Sequence, residues 1–327
     1  MRRRQLLVAS ALTALVPALA RPARADLGTM KVGVLKFGTV NWELDVIKFH
    51  KLDEKEGYTL DVQAFGGNDA ADVALMGDGV NAIVEDWLWV SRQRSSGTEL
   101  TFIPYSSSVG ALMVKADGPA DLAGLKGKKI GVSGGKIDKG WILLQAYAKD
   151  KGGVDIANEA EIVYGAPPLL TEKIKSGELD AVLNYWHFCA RLEAEGYRRL
   201  IGVTDVQEAF GVPPSVPQLG YVFKQAFADS STPLVEAFAR SSRAAKQILL
   251  TDDAEWQRLR EVTRAENDAV LAAFMRRYRE GIVQHWGPEQ QGQAAQLYTV
   301  LEKLGGEELV GPGKEIAPGT FWPKLTF

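Results

Sequence analysis

At 327 residues, with 46% hydrophobic and 24% charged side chains, the chain can bury one large core or two ordinary ones. Its formal charge of −3, with no basic tract beyond the N-terminus, argues against nucleic acid as a partner. Cys189 is the only cysteine, which excludes an internal disulfide.

The N-terminus reads as a secretory signal peptide, residues 1–25. Arg2-Arg3-Arg4 precedes an apolar run at 6–20, and Ala23-Arg24-Ala25 offers a small-residue cleavage site before Asp26. That run is too short to span a bilayer and is interrupted by Pro17. Arg3-Arg4 loosely fits a twin-arginine signal, so the export route stays open. Removing these residues, with five arginines and no acids, takes the charge to −8. The expected location is the periplasm.

Strands and helices then alternate. Strands are expected at 30–36, 59–65, 82–85 and 100–105, with helices at 42–55, 69–76 and 87–94 between them. A further strand at 111–115 precedes the turn Asp117-Gly118-Pro119. The next unit opens on a β-branched run at 128–132, broken by Ser133-Gly134-Gly135. Asp138 caps a helix carrying Trp141, Leu144, Gln145 and Ala148. Strands at 161–164, 181–183 and 199–203 follow, with helices at 168–175 and 188–195. Pro213, Pro214 and Pro217 mark a crossover to a strand at 218–224. Helices at 233–250, 254–262, 267–279 and 288–304 close the chain, and no internal repeat is present.

This rhythm implies two mostly parallel sheets covered by helices. The expected division is a first lobe at 26–114 and 218–327, and a second at 115–217. Two crossover segments permit hinge closure, and the C-terminal helices are expected on the first lobe. Ligands of open α/β sheets bind beyond the carboxyl ends of the strands. Those ends carry the aromatics Phe37, Trp42, Trp87, Trp141, Tyr185 and Trp186, whose alternative is core packing. They also carry Thr39, Asn41, Asp86, Ser107, Ser108, Ser133 and Asn184. Asn41 is expected to cap the helix from Trp42. His187 suits a cleft as well as a core. Lys139 and Lys136, near a helix start, would favour an anion or stay solvated. Asp69, Asp72, Asp78 and Glu85 read as a solvated face.

Gly131-Val132-Ser133-Gly134-Gly135 fits G-x-S-x-G, so an exported serine hydrolase using Ser133 is the rival reading. It needs an acid and a histidine within reach: Asp180 with His187, or a later acid with His285. Gly134-Gly135-Lys136 fails as a P-loop, because Ile137 stands where Ser or Thr is required. His187 and Cys189 lack the further ligands of a metal site. No cofactor is expected.

The segments KVGVLKFGTVNWELDVIK, GGNDAADVALMGDGVNAIVEDW, DLAGLKGKKIGVSGG and LLTEKIKSGELDAVLNYWHFCARLEAEGYRRL resemble the nitrate/sulfonate/taurine family, which includes thiamine-pyrimidine binders. These are periplasmic substrate-binding proteins of ABC transporters. Lys175, Gly177, Asp180 and Ala181 carry the most telling pattern. The resemblance implies a type II periplasmic-binding-protein fold, an ABC permease as partner, a small-molecule solute and a monomer. It places ligand contacts at 37–42, 86–87, 106–108, 133–139 and 184–187. Asp86-Trp87-Leu88-Trp89 and Asn184-Tyr185-Trp186-His187 depart from the loops of many members, which argues against nitrate or a simple sulfonate. FGTVNWELDVIK and DWLWVSRQR also resemble a branch found beside quinoprotein-dependent alcohol catabolism, implying a planar solute. A fold relative that consumes its own histidine carries a cysteine-rich cluster, which this chain lacks. The expectation is a receptor, not an enzyme, with a small planar or anionic ligand stacked on Trp42, Trp87, Trp141 or Trp186.

Overall fold

The computed structural model describes residues 26–327, so the expected signal peptide lies outside the described residues. The first four strands are β1 (Thr29–Leu35), β2 (Thr59–Phe65), β3 (Ala82–Asp86) and β4 (Leu100–Ser106). Then come β5 (Ala111–Val114), β6 (Lys129–Val132), β7 (Glu161–Tyr164), β8 (Ala181–Asn184), β9 (Arg198–Gly202) and β10 (Leu219–Lys224). They form two five-stranded sheets, ordered β2-β1-β3-β10-β4 and β7-β6-β8-β5-β9. Each sheet is parallel except for the strand that enters it after a crossover. β10 runs antiparallel to β3 and β4, and β5 runs antiparallel to β8 and β9. The two lobes are therefore topological counterparts.

The strand Ala111–Val114, expected to end the first lobe, belongs to the second sheet. The first crossover is thus the short stretch 107–110, not the region around Lys115. Its tightness has a steric cause. A Cβ on Gly110 would lie 1.8 Å from the Asn184 carbonyl oxygen, so only glycine fits. β4 is apolar enough to be buried along its whole length, because the C-terminal tail covers its edge. Phe102 N–H donates to the Thr320 carbonyl, and Trp322 N–H donates to the Phe102 carbonyl. Pro104, which has no N–H, is tolerated on such an edge strand.

The expected helix at 42–55 divides into Val40–Phe49 and Leu52–Glu56, because Lys51 adopts a left-handed φ of 54°. A helix at Val203–Ala209 was not expected at all; it follows β9 directly. The C-terminal helices do not stay on the first lobe. Pro288–Val310 packs on Trp87–Ser95 of the first lobe and on Lys139–Asp150 of the second. Its Leu297 and Leu301 join Trp87, Phe102, Ile130 and Leu144 in one hydrophobic cluster. Asp268–Glu280 packs on Trp186–Ala194 of the second lobe. There Arg277 and Arg276 bind the Glu193 carboxylate at 2.7 and 2.9 Å. Among the described residues, no helix is long and apolar enough to cross a membrane.

Candidate functional site

The carboxyl ends of β1, β3, β6 and β8 face one another across a cavity of about 310 Å³ between the lobes. Its apolar walls are Val34, Leu35, Val40 and Val84 on one side, and Leu143, Leu183 and Val203 on the other. Of the residues expected at the site, Thr39, Asp86, Ser108, Ser133, Lys139, Asn184, Tyr185, Trp186 and His187 line it.

Asp86 closes β3 and caps the next helix, accepting from Trp89 N–H at 2.7 Å. Its second oxygen meets Lys139 Nζ at 3.2 Å, an ion pair that joins one lobe to the other. Asp138 caps its helix as expected, accepting from Trp141 N–H at 3.0 Å. The glycine turn wraps the same carboxylate: a Cβ on Gly134, at φ +85°, would lie 2.4 Å from Asp138 Oδ2. The positive end of that helix, a natural anion cradle, is therefore filled by the chain's own carboxylate.

Asn184 is saturated. Its Oδ1 accepts from Ser133 Oγ–H at 2.9 Å and from Tyr185 N–H at 2.8 Å. Its amide donates to the Pro167 carbonyl and Thr171 Oγ1, each at 3.0 Å. All four bonds of a primary amide are used, so Asn184 shapes the cavity floor and offers nothing to a ligand. Ser133 gives its proton to this amide and to no histidine, so the triad of the hydrolase reading is not assembled.

Other groups keep bonding capacity. Glu85 accepts one hydrogen bond, from Asp86 N–H at 3.2 Å. Burial, then the charges of Asp86 and Asp72, push its carboxyl up to about 8. Burial also raises Asp138. The Tyr185 hydroxyl is pushed up to about 12 by burial, then by Asp138, Glu85 and Asp86. Burial, helped by Arg191, pushes the His187 imidazole down to about 3, so it is neutral at physiological pH. Its Nδ1 is buried without a partner, as is the Oε1 of Gln207, whose side chain lines the cavity.

Six expected residues lie off the cavity. Phe37 points outward and is exposed. Asn41 does not cap. The helix starts at Val40, and the Asn41 amide turns back to the Leu35 and Gly38 carbonyls at 2.8 and 2.7 Å, stitching the turn. Trp42 is in the first-lobe core, against Phe274 at 5.1 Å and Trp186 at 5.6 Å. Trp87 is buried, its indole N–H donating to the Pro217 carbonyl at 2.8 Å. Trp141 is buried in the shared cluster. Ser107 is tied through its N–H to the Gly281 carbonyl at 3.0 Å. Core packing claimed three of the four stacking tryptophans; only Trp186 reaches the cavity.

Glu85, expected on a solvated face, lines the cavity instead, and Asp138 joins it there. The strand-end rule that singled out Asp86 applies equally to its neighbour, so that signal was available. Tyr105 and Gln218 also line the cavity, from the crossover ends of β4 and β10. Gln207 sits on the unexpected helix and had no signal.

A family model described as NMT1/THI5 like matches residues 54–255, well over half of the chain. The chain belongs to the NMT1/THI5-like family. Its fold is that of periplasmic binding proteins, as the resemblance implied. The aliphatic sulphonate binding protein SsuA from Escherichia coli superposes with a TM-score of 0.70 at 16% identity, covering 90% of this chain and 97% of that one. The alkanesulfonate-binding SsuA of Xanthomonas axonopodis, bound to MOPS, gives 0.67 at 18% identity, covering 93% and 99%. An ABC transporter protein from Parabacteroides distasonis gives 0.69 at 16% identity, covering 91% and 99%. At these identities the likeness is one of fold. No curated protein matches the chain in sequence.

Proposed function

We propose that the protein is the solute-binding component of an ABC importer. It captures a small organic molecule in the inter-lobe cavity and hands it to a membrane permease. The observation that carries this reading is the cavity itself: set between two lobes joined through two crossovers, largely apolar, and lined by buried polar atoms without partners among the described residues. Two proteins of the same fold carry sulfonate binding in their names, one of them with MOPS bound. The volume suits a compact ligand, with Tyr105, Tyr185 and Trp186 as its aromatic wall. The protein works in the periplasm after cleavage of residues 1–25, as a monomer and without catalysis. Ligand drives closure in proportion to its greater affinity for the closed form.

Native mass spectrometry of protein exposed to an extract of small metabolites tests this. One small molecule per chain, released on unfolding, is the expected result. It should be lost in Val84→Trp, which fills the cavity from β3. No adduct, or one indifferent to that substitution, would overturn the reading.

A further inference from the structure

The cavity's donors and acceptors are unequal. Three carboxylates, Glu85, Asp86 and Asp138, line it against one cation, Lys139, and no arginine. Asp86 is committed to Lys139 and to a helix cap, and Asp138 to its own cap and turn. Glu85 has a single backbone partner and no ion pair among the described residues. Elsewhere on the cavity lining, from the helix Val203–Ala209, Gln207 is 2% exposed and presents an unpartnered acceptor oxygen. An anion would find as counter-charge only Lys139, which is already paired with Asp86, and the helix terminus that could have held it is already filled by Asp138. A ligand bringing positive charge and N–H donors would pair Glu85 and satisfy Gln207.

Resting on the receptor reading above, we propose that the ligand is a small organic cation, a protonated amine on a compact apolar body, with Glu85 as its counter-ion. The amine is held by a charge-assisted hydrogen bond to Glu85, and Gln207 Oε1 accepts a further N–H. The body lies against Leu143, Val84 and Trp186. The sulfonate ligands of the fold relatives therefore do not transfer to this chain.

The titration of Glu85 makes the claim testable. The groups around it are Asp86 on its own strand, Asp72 on the helix Asn68–Met76, and Asp138 and Lys139 at the next lobe's helix start. Tyr185 and the neutral His187 face the same space, and Gly220 of β10 is the uncharged neighbour across the sheet. With its carboxyl raised to about 8, Glu85 is largely protonated in the empty site at pH 7. An amine must displace that proton.

Calorimetric titration with benzylamine and phenethylamine, against size-matched benzenesulfonate and benzoate, separates the classes. Expected are one-to-one binding of an amine, proton release to the buffer, and affinity rising up to about tenfold per pH unit from pH 6 to 8. Glu85→Gln should weaken amine binding about tenfold or more and flatten the pH slope. Should that variant not fold, the wild-type pH slope and proton release still decide. Binding of the anions but not the amines, or amine binding indifferent to pH and to Glu85→Gln, would overturn the cationic ligand while leaving the receptor intact. Silence from every probe overturns it too, and the mass-spectrometric adduct then judges the receptor separately.

Discussion

Two glutamates withdrawn from water serve opposite ends in this molecule. In the first-lobe core, Glu43 is fully buried between the helix Val40–Phe49, β10 and the helices Thr232–Thr251 and Asp268–Glu280. It binds Lys246 in a short ion pair, accepts from Tyr221 Oη–H at 2.9 Å and from Ser242 Oγ–H at 2.5 Å, and lies 3.4 Å from Tyr278 Oη. Every lone pair of that carboxylate has a use. In the cavity, Glu85 is also largely withdrawn from water but has one backbone partner. A buried carboxylate with a complete set of partners holds the fold together; a carboxyl with one partner is driven toward its neutral form and keeps bonding capacity.

Four substitutions sharpen that contrast. Glu43→Gln leaves the Lys246 ammonium buried without its counter-charge. The expected loss is about 3–5 kcal/mol in denaturant unfolding, the usual result of removing one partner of a buried pair. Adding Lys246→Met should recover much of it; no recovery would mean that the pair is not the source.

Glu85→Gln should act in the opposite direction on ligand-free protein. The carboxyl ionises near 4.5 when unfolded and about 8 when folded. Between those values the unfolded chain has lost a proton that the folded chain retains, so stability falls as pH rises through that window. At pH 8 the variant should melt about 5–8 °C higher than wild type, with no difference at pH 4. Equal melting at both pH values would show that Glu85 is solvated after all.

Lys139→Met removes the ion pair between the lobes. Both side chains keep some exposure, so the expected loss is at most about 1 kcal/mol and shrinks as salt is raised. A larger, salt-independent loss would place this pair with Glu43 rather than with the cavity.

The fold was legible because its signals are local and repeated. Apolar runs bounded by glycine turns, and Asp138 as a helix cap, give the strand–turn–helix units. The lobe boundary was less so. Ala111–Val114 reads as a strand, but only pairing with β8 and β9 assigns it to the second sheet. The site was legible in its loops and not in its side chains. A tryptophan after a strand end can turn outward to a ligand or inward to a core, and sequence carries no sign of which. Trp42, Trp87 and Trp141 turned inward because neighbouring helices offered apolar faces. Asn184 lines the cavity, but its four hydrogen bonds go to Ser133 just after β6, to the helix Pro167–Ser176 and to its own turn, which no local pattern reveals.

A crystal structure of the protein with its ligand bound tests the central claim most directly. The account expects the ligand between the lobes, with a nitrogen within hydrogen-bond distance of Glu85 and a second contact to Gln207 Oε1. A ligand seated elsewhere, for instance in the basic groove of Arg240 and Arg243, or one in the cavity that leaves Glu85 and Gln207 untouched, would contradict it.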